Sequence, residues 1–522
     1  MTLSTLDQAV VIGYLLFTMA IGVYLTRRVK SSTDYFLAGR QLPFWAIGAS
    51  IVVTDIGATS MIGLGAEGYQ YGLVAANWDW IGSFAAMVLS AFIFIPWYWR
   101  TRCYTIPEFL GRRYNQPTRT LHSTIWLLVM IFDIGIIFHA AAGLMEQFMG
   151  WSYWPSIALL GVIIGVYMVG AGLAAVVFTD VLQLIVMFAG GFTLLVIGLN
   201  AVGGWRGMVD KIEAMGPDYA SHLTLYHPPD GATPYPWTGI LFGLGFVMST
   251  AYFVGNQSIT QRCMGARSEW DAKASMLLGA TLKALIPIMV VTPGLIALAY
   301  FGGSLDGAHK DDVYPMLIKE LLPTGLIGLM FAALIAALMS TIDSVLNAIS
   351  TLFTKDIYQG HLRPDASDAE LLKVGRLCTL IVLILGAATA PMSELFEGIY
   401  AWIQTLMSIV AGPTLAVLVL GMFWPRCSQW GGFFGLLFGC CFTYLLSLDA
   451  IASQLFTIKD PFLYVSFWSF VFSCGVAWIV SLFSAPWPTE RIDTLLWRPN
   501  AKTDVRTEVT AVSAAQSTQE VP

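Results

Sequence analysis

Long apolar stretches broken by short polar segments run almost the whole length of the chain. A run of about 20 apolar residues is what a helix needs to cross roughly 30 Å of hydrocarbon. Such runs fall at residues 7–26, 43–66, 73–97, 120–149, 153–172, 175–200, 236–258, 274–301, 325–354, 372–392, 396–424, 430–448 and 462–486. The pattern predicts an all-α membrane protein of about 13 transmembrane helices. An odd number puts the two termini on opposite sides of the bilayer.

Composition fits that reading. Of 522 residues, 57% are hydrophobic and only 11% charged, where a soluble domain carries roughly 25% charged residues. Too little charge remains to coat a water-facing surface, and nothing in the net charge of −6 suggests nucleic acid. The first apolar run has no basic residue before it and Arg27, Arg28 and Lys30 after it, the reverse of a cleavable signal. With the N-terminus outside, the inner loops and tail hold 21 of the 27 Lys and Arg, among them Arg100, Arg112, Arg262, Arg267, Lys355 and Arg426. The outer loops keep Arg206, Lys211, Lys310, Lys319 and Lys459. A fourfold bias supports both the helix count and a cell-membrane protein with a cytoplasmic C-terminus. The tail beyond about residue 500 has the composition of a disordered segment.

Two spans are poor simple helices. The second carries Thr54-Asp55-Ile56-Gly57-Ala58-Thr59-Ser60 at mid-depth, and the seventh carries Ser249-Thr250-Ala251-Tyr252 followed by Gly255-Asn256-Gln257-Ser258. Such stretches free backbone groups that lipid cannot satisfy. They lie five helices apart, the arrangement of an inverted-repeat transporter with its binding site at the breaks. Asp55, Asp79, Asp133, Asp180, Lys283 and Asp343 also fall inside spans. Each would cost roughly 2.5–3.5 kcal/mol against lipid, so they must face one another, a water-filled cavity or a bound ion. Five acids against one base suit cation binding or protonated carboxylates.

The sequence Ser340-Thr341-Ile342-Asp343-Ser344 is the densest polar cluster in an otherwise apolar helix. Hydroxyl and carboxylate oxygens suit a small hard cation, although the hydroxyls could equally bond back to the preceding turn. The seven cysteines show no paired spacing and the six histidines no metal-ligand spacing. The cysteines read as small buried hydrophobes, and His139, inside a span, as a satisfied core histidine.

Several stretches, in order, resemble the sodium/solute symporter family, above all its sugar-transporting branch. They are Tyr35 to Arg40, Gly63 to Tyr69, Tyr104 to Phe109, Ala171 to Asp180, Gln261-Arg262, Leu282-Lys283, Ser340 to Tyr358 and Gly421 to Trp424. The resemblance implies a five-plus-five inverted-repeat fold with broken helices at the binding site. It implies a sodium ion held by the backbone carbonyls of Val53, Ile56 and Ala337 and the hydroxyls of Ser340 and Thr341. Asp180, Asp343 and Ser344 match positions that bind a second cation in some members. For the solute it implies Asp79, Lys283 and Gln404, with Asp55, Ser60, Ser249 and Tyr252 on the broken spans and Asn256 bracing the site. Asp55, Ser60 and Ser249 depart from the bacterial galactose pattern, which has Asn, Gln and Asn there, so galactose is not indicated.

The expected organisation is a leading helix and inner loop (1–40), a core (41–425, with repeats 41–200 and 236–425), two peripheral helices (426–487) and a tail (488–522). The expected function is sodium-coupled symport of a small neutral polar solute, a sugar or polyol, by alternating access. Lys283 is the only basic residue within a span, which disfavours an anionic solute. The competing readings are proton coupling through Asp343 or Asp55 and uptake of an amino acid, carboxylate or quaternary amine. No nucleophile–base pair, phosphate loop or signalling domain argues for an enzyme or a sensor, and no obligatory protein partner is expected.

Overall fold

The structure, a computed structural model, describes residues 3–27, 29–229, 233–305, 312–395, 399–458 and 461–497. The tail expected beyond residue 500 lies outside them. The described residues form helices throughout, with no strand among them. Ten helices are long and apolar enough to cross a bilayer, or thirteen when three bent pairs each count as one span.

The leading helix α1 (Thr5–Thr26) opens on a capping box formed by Ser4 and Asp7. The second span is two helices, α2 (Phe44–Asp55) and α3 (Ala58–Tyr71), bent by 57° where Ile56 and Gly57 leave helical geometry. The third is also bent, by 43°, between α4 (Trp78–Phe92) and α5 (Phe94–Thr101). No polar residue marks that bend. Pro96 lacks the N–H that would reach the Phe92 carbonyl, and its ring crowds that group. Short α6 (Ile106–Arg113) leads into the long α7 (Gln116–Met149).

The fifth and sixth spans, together α8 (Tyr153–Val202), are two helices joined at Gly172, whose φ of +61° and ψ of −160° leave helical geometry. A Cβ there would stand 2.4 Å from the Tyr35 carbonyl oxygen. The seventh span breaks as expected, by 53°, between α9 (Gly239–Gly255) and α10 (Gln257–Met264). Asn256 is extended at the break and its side chain accepts the Ser258 N–H at 2.9 Å. Then follow α11 (Glu269–Lys283), α12 (Ile286–Phe301), α13 (Leu326–Leu352), α14 (Asp368–Thr389) and α15 (Ile399–Phe423). The peripheral α16 (Gln429–Leu446) and α17 (Phe462–Phe483) turn aromatic side chains such as Trp468 and Phe483 outward, as lipid-facing helices do.

Small residues let core helices meet backbone to backbone, the usual device where lipid offers no hydrophobic drive to association. A Cβ on Gly294 of α12 would lie 2.1 Å from the Gly65 carbonyl of α3, and one on Gly68 would lie 2.5 Å from the Val291 carbonyl. We expect Gly294→Ala to separate α3 from α12 and cost about 2 kcal/mol, read as a lower unfolding temperature of the purified protein. An unchanged midpoint would refute the close approach.

Candidate functional site

The break in the second span faces the polar cluster of α13. The Ile56 N–H still reaches the Val52 carbonyl, and the helical ladder restarts when the Ser60 and Met61 N–H groups bond the Gly57 carbonyl. The carbonyls of Val53 to Ile56 fall between the two ladders. Thr341 Oγ1 bridges the gap, 3.1 Å from the Thr54 carbonyl and 3.1 Å from the Ala337 carbonyl one turn back on its own helix. Ser340 Oγ, wholly buried, stands 3.4 Å from Thr54 Oγ1. Carbonyls from a broken helix and hydroxyls from its neighbour thus converge, the donor set of a hard monovalent cation. No group of three or more His, Cys, Asp or Glu side chains suited to a metal occurs among the described residues.

Immediately beside this gap lies a charged side chain that the sequence reading placed in an inner loop. Arg262 is in fact only 1% exposed, because the break at Asn256 turns α10 into the protein instead of letting it end at the surface. Its guanidinium donates to Ser50 Oγ at 2.6 Å and Thr54 Oγ1 at 2.7 Å, as well as to Ser344 Oγ and the Ser258 carbonyl. It stands 3.6 Å from Asp180 Oδ2, which also accepts from Ser50 at 2.5 Å. A buried carboxylate is thereby matched by a buried guanidinium, as burial of either requires. Asp343, on the same helix as Ser344 and also wholly buried, lies within electrostatic reach of Tyr14 on α1.

On the other side of the break a cavity of about 1010 Å³, including its open mouth, is shared by α2, α3, α4, α7, α9, α11, α13 and α15. Ile56 and Thr341 belong to its wall, so the carbonyl gap and the cavity adjoin. Lys283 reaches in from the end of α11 and pairs with two carboxylates, Asp55 Oδ2 and, at 2.8 Å, Asp79 Oδ1. The Phe253 ring centroid lies 5.9 Å from the ammonium. Donors and acceptors fixed in this way against aromatic walls suit a small solute rich in hydroxyls.

Seven of the eight residues expected to touch solute line this one cavity: Asp55, Ser60, Asp79, Ser249, Tyr252, Lys283 and Gln404. Asn256 does not, since its side chain caps α10 through Ser258. Among the wall residues not anticipated as part of a site are Trp78, Trp126 and Asp133. Asp133 was visible as an in-span acid. Its spacing of seven from Trp126, which puts both on one helix face, is the signal that could have joined them.

The sequence pattern of the sodium:solute symporter family matches residues 35–439. The sodium/myo-inositol cotransporter 2 of Mus musculus is 34% identical over 480 residues, spanning 86% of this chain and 71% of its own. The sodium/glucose cotransporter of Vibrio parahaemolyticus is 31% identical over 494 residues, 90% of each chain. Among solved structures, a substrate-bound outward-open Na+-coupled sialic acid symporter superposes with a TM-score of 0.82 at 23% identity, covering 92% of this chain and 99% of the other. The nucleobase-cation-symport-1 transporter Mhp1 follows with a TM-score of 0.55 at 12% identity, covering 89% and 99%. At those identities the structural likeness establishes the fold and nothing finer.

Proposed function

Because the chain belongs to the sodium:solute symporter family, we propose that it uses sodium entry to import a small polyhydroxylated solute, a sugar or polyol, by alternating access. The observation that carries this reading is the adjacency of carbonyl gap and cavity, with Ile56 and Thr341 at the wall. In this reading the Val53, Ile56 and Ala337 carbonyls and the Ser340 and Thr341 hydroxyls hold sodium. The ion draws α2 towards α13, and that closure shapes the neighbouring cavity. Sodium favours a conformation only through its higher affinity for it, and the five oxygens exist as a set only when the two helices are together.

The solute would lie between the Asp55–Lys283–Asp79 group and Ser60, Ser249, Tyr252 and Gln404, with Asn256 holding the break in α9 and α10. The relatives named for myo-inositol and glucose support that class. One charge crossing 100 mV supplies about 2.3 kcal/mol and a tenfold sodium gradient about 1.4 kcal/mol, together enough for several hundredfold accumulation. One sodium per cycle suffices. A second cation at Asp180, Asp343 and Ser344 would belong to a conformation in which Arg262 has withdrawn, because its guanidinium now engages two of those three residues.

The protein is a multi-pass membrane protein. The charge bias supports an external N-terminus and a cytoplasmic C-terminus in the cell membrane, which would put Arg262 on the cytoplasmic side of the sodium ligands. The division into repeats 41–200 and 236–425 accounts for breaks in the second and seventh spans.

Replacing sodium by choline at fixed pH is expected to abolish uptake of sugars and polyols into proteoliposomes. Unchanged uptake would show that protons or nothing at all drive transport. Removing one ligand by Ser340→Ala should raise the sodium concentration for half-maximal uptake about tenfold, equivalent to about 1.4 kcal/mol. A half-saturation equal to that of the parent would remove Ser340 from the ion site.

A further inference from the structure

The cavity holds more negative charge than its own residues and one sodium can balance. Asp55, Asp79 and Asp133 present three carboxylates, and Lys283 supplies one ammonium. One sodium at the adjoining gap leaves a single negative charge over. The triad locates it, since Lys283 already sits between Asp55 and Asp79. Asp133, on α7 across the cavity, has no ion pair or hydrogen bond to any described residue. Asp133 is half-buried at the cavity wall, and a carboxylate there without a counter-charge keeps a desolvation cost that a cationic partner would offset.

The surroundings of Asp133 say what would relieve it. Trp126 lies two turns earlier on the same face of α7 and also lines the cavity, and Tyr252 lies within electrostatic reach of the carboxylate. A carboxylate sharing a cavity wall with aromatic rings is chemistry suited to an ammonium group. Resting on the sodium and solute reading given above, we propose that the imported solute is a polyhydroxylated compound carrying a protonated amine, an aminated sugar or polyol. Asp133 selects for its positive charge while the Asp55–Lys283–Asp79 group binds its hydroxyls.

The test uses the full chain in lipid nanodiscs at saturating sodium and pH 6.5, where aliphatic amines are protonated. Affinities are measured by calorimetry for matched pairs that differ only in the amine: D-sorbitol and 1-amino-1-deoxy-D-sorbitol, D-glucose and D-glucosamine, myo-inositol and an aminocyclitol. In at least one pair the amine should bind at least tenfold more tightly. Asp133→Asn should narrow that gap to twofold or less, and Asp133→Glu should retain it. Equal affinity within every pair for the parent protein overturns the proposal, whether or not the variants fold, and so does a tenfold preference that survives Asp133→Asn. Binding that is identical in sodium and choline, or absent for every compound, instead removes the reading on which it rests.

Discussion

Lys283→Ala is expected to lower sodium-driven uptake at least 100-fold and to destabilise the protein by about 3 kcal/mol. The ammonium is the shared partner of Asp55 and Asp79, whose side chains are only 13% and 4% exposed. Truncating it strands two carboxylates together, and removing one member of a buried charge group costs about 3–5 kcal/mol. The lower end applies because the cavity admits water. The same change deletes the donors offered to solute hydroxyls, so binding and stability should separate on repair. Adding Asp55→Asn to Lys283→Ala removes one stranded charge, which should recover part of the unfolding midpoint without recovering uptake. If Lys283→Ala takes up solute with the parent's apparent affinity, the cavity is not the solute site.

The second large effect should come from Arg262→Met. That substitution keeps much of the volume but leaves Asp180, 0% exposed, with only the hydroxyls of Ser50, Thr54 and Ser340 and no counter-charge. It also removes the positive charge and the hydrogen bonds between the proposed sodium ligands and α10. A loss of about 3–5 kcal/mol is expected from the stranded carboxylate, together with a sodium flux that no longer requires solute. Both are measurable, as the thermal midpoint of the purified protein and as sodium-22 entry into liposomes without solute. Arg262→Lys should restore the charge but not the fork, because an ammonium cannot span Ser50, Thr54, Ser344 and Ser258 at once. Intermediate stability is expected. Tight coupling and parental stability in Arg262→Met would mean the guanidinium is a packing element and no barrier.

Hydropathy alone located most of the fold. The runs at 7–26 and 462–486 became Thr5–Thr26 and Phe462–Phe483, and the breaks near Asp55 and Asn256 announced themselves through polar residues and glycine inside apolar sequence. The bend near Ile93 did not, because its cause is a proline three residues further on within an unbroken apolar run. The boundary between the fifth and sixth spans, expected at residues 172–175, falls at Gly172. A glycine at positive φ can redirect a helix without any polar gap to mark it.

In the site the limits were those of one-dimensional reading. The family resemblance could nominate Asp79, Lys283 and Gln404, yet only the packing of helices far apart in sequence brings them to one cavity. Arg262 was misplaced because a basic residue near the end of an apolar run, with Arg267 and Lys273 to follow, has the signature of a loop. Its burial depends on the direction the chain takes after Asn256, which charge counting cannot register. Asp133 was recognised as costly in lipid, but which face of the 34-residue α7 meets the cavity is settled by neighbours from other spans.

The capping carboxylate of the leading helix bears on how such a molecule can move. Asp7 Oδ1 accepts the backbone N–H groups of Gly325 and Gly328, each at 2.7 Å, at the start of α13. The helix bearing Ser340 and Thr341 is therefore moored at its far end by the leading helix α1. Charge-assisted bonds of that kind are worth more than ordinary ones, and here two of them break if α13 slides along its axis. A stroke in which α2 and α9 swing away from a standing α13 would keep both bonds, with the first helix as its anchor post.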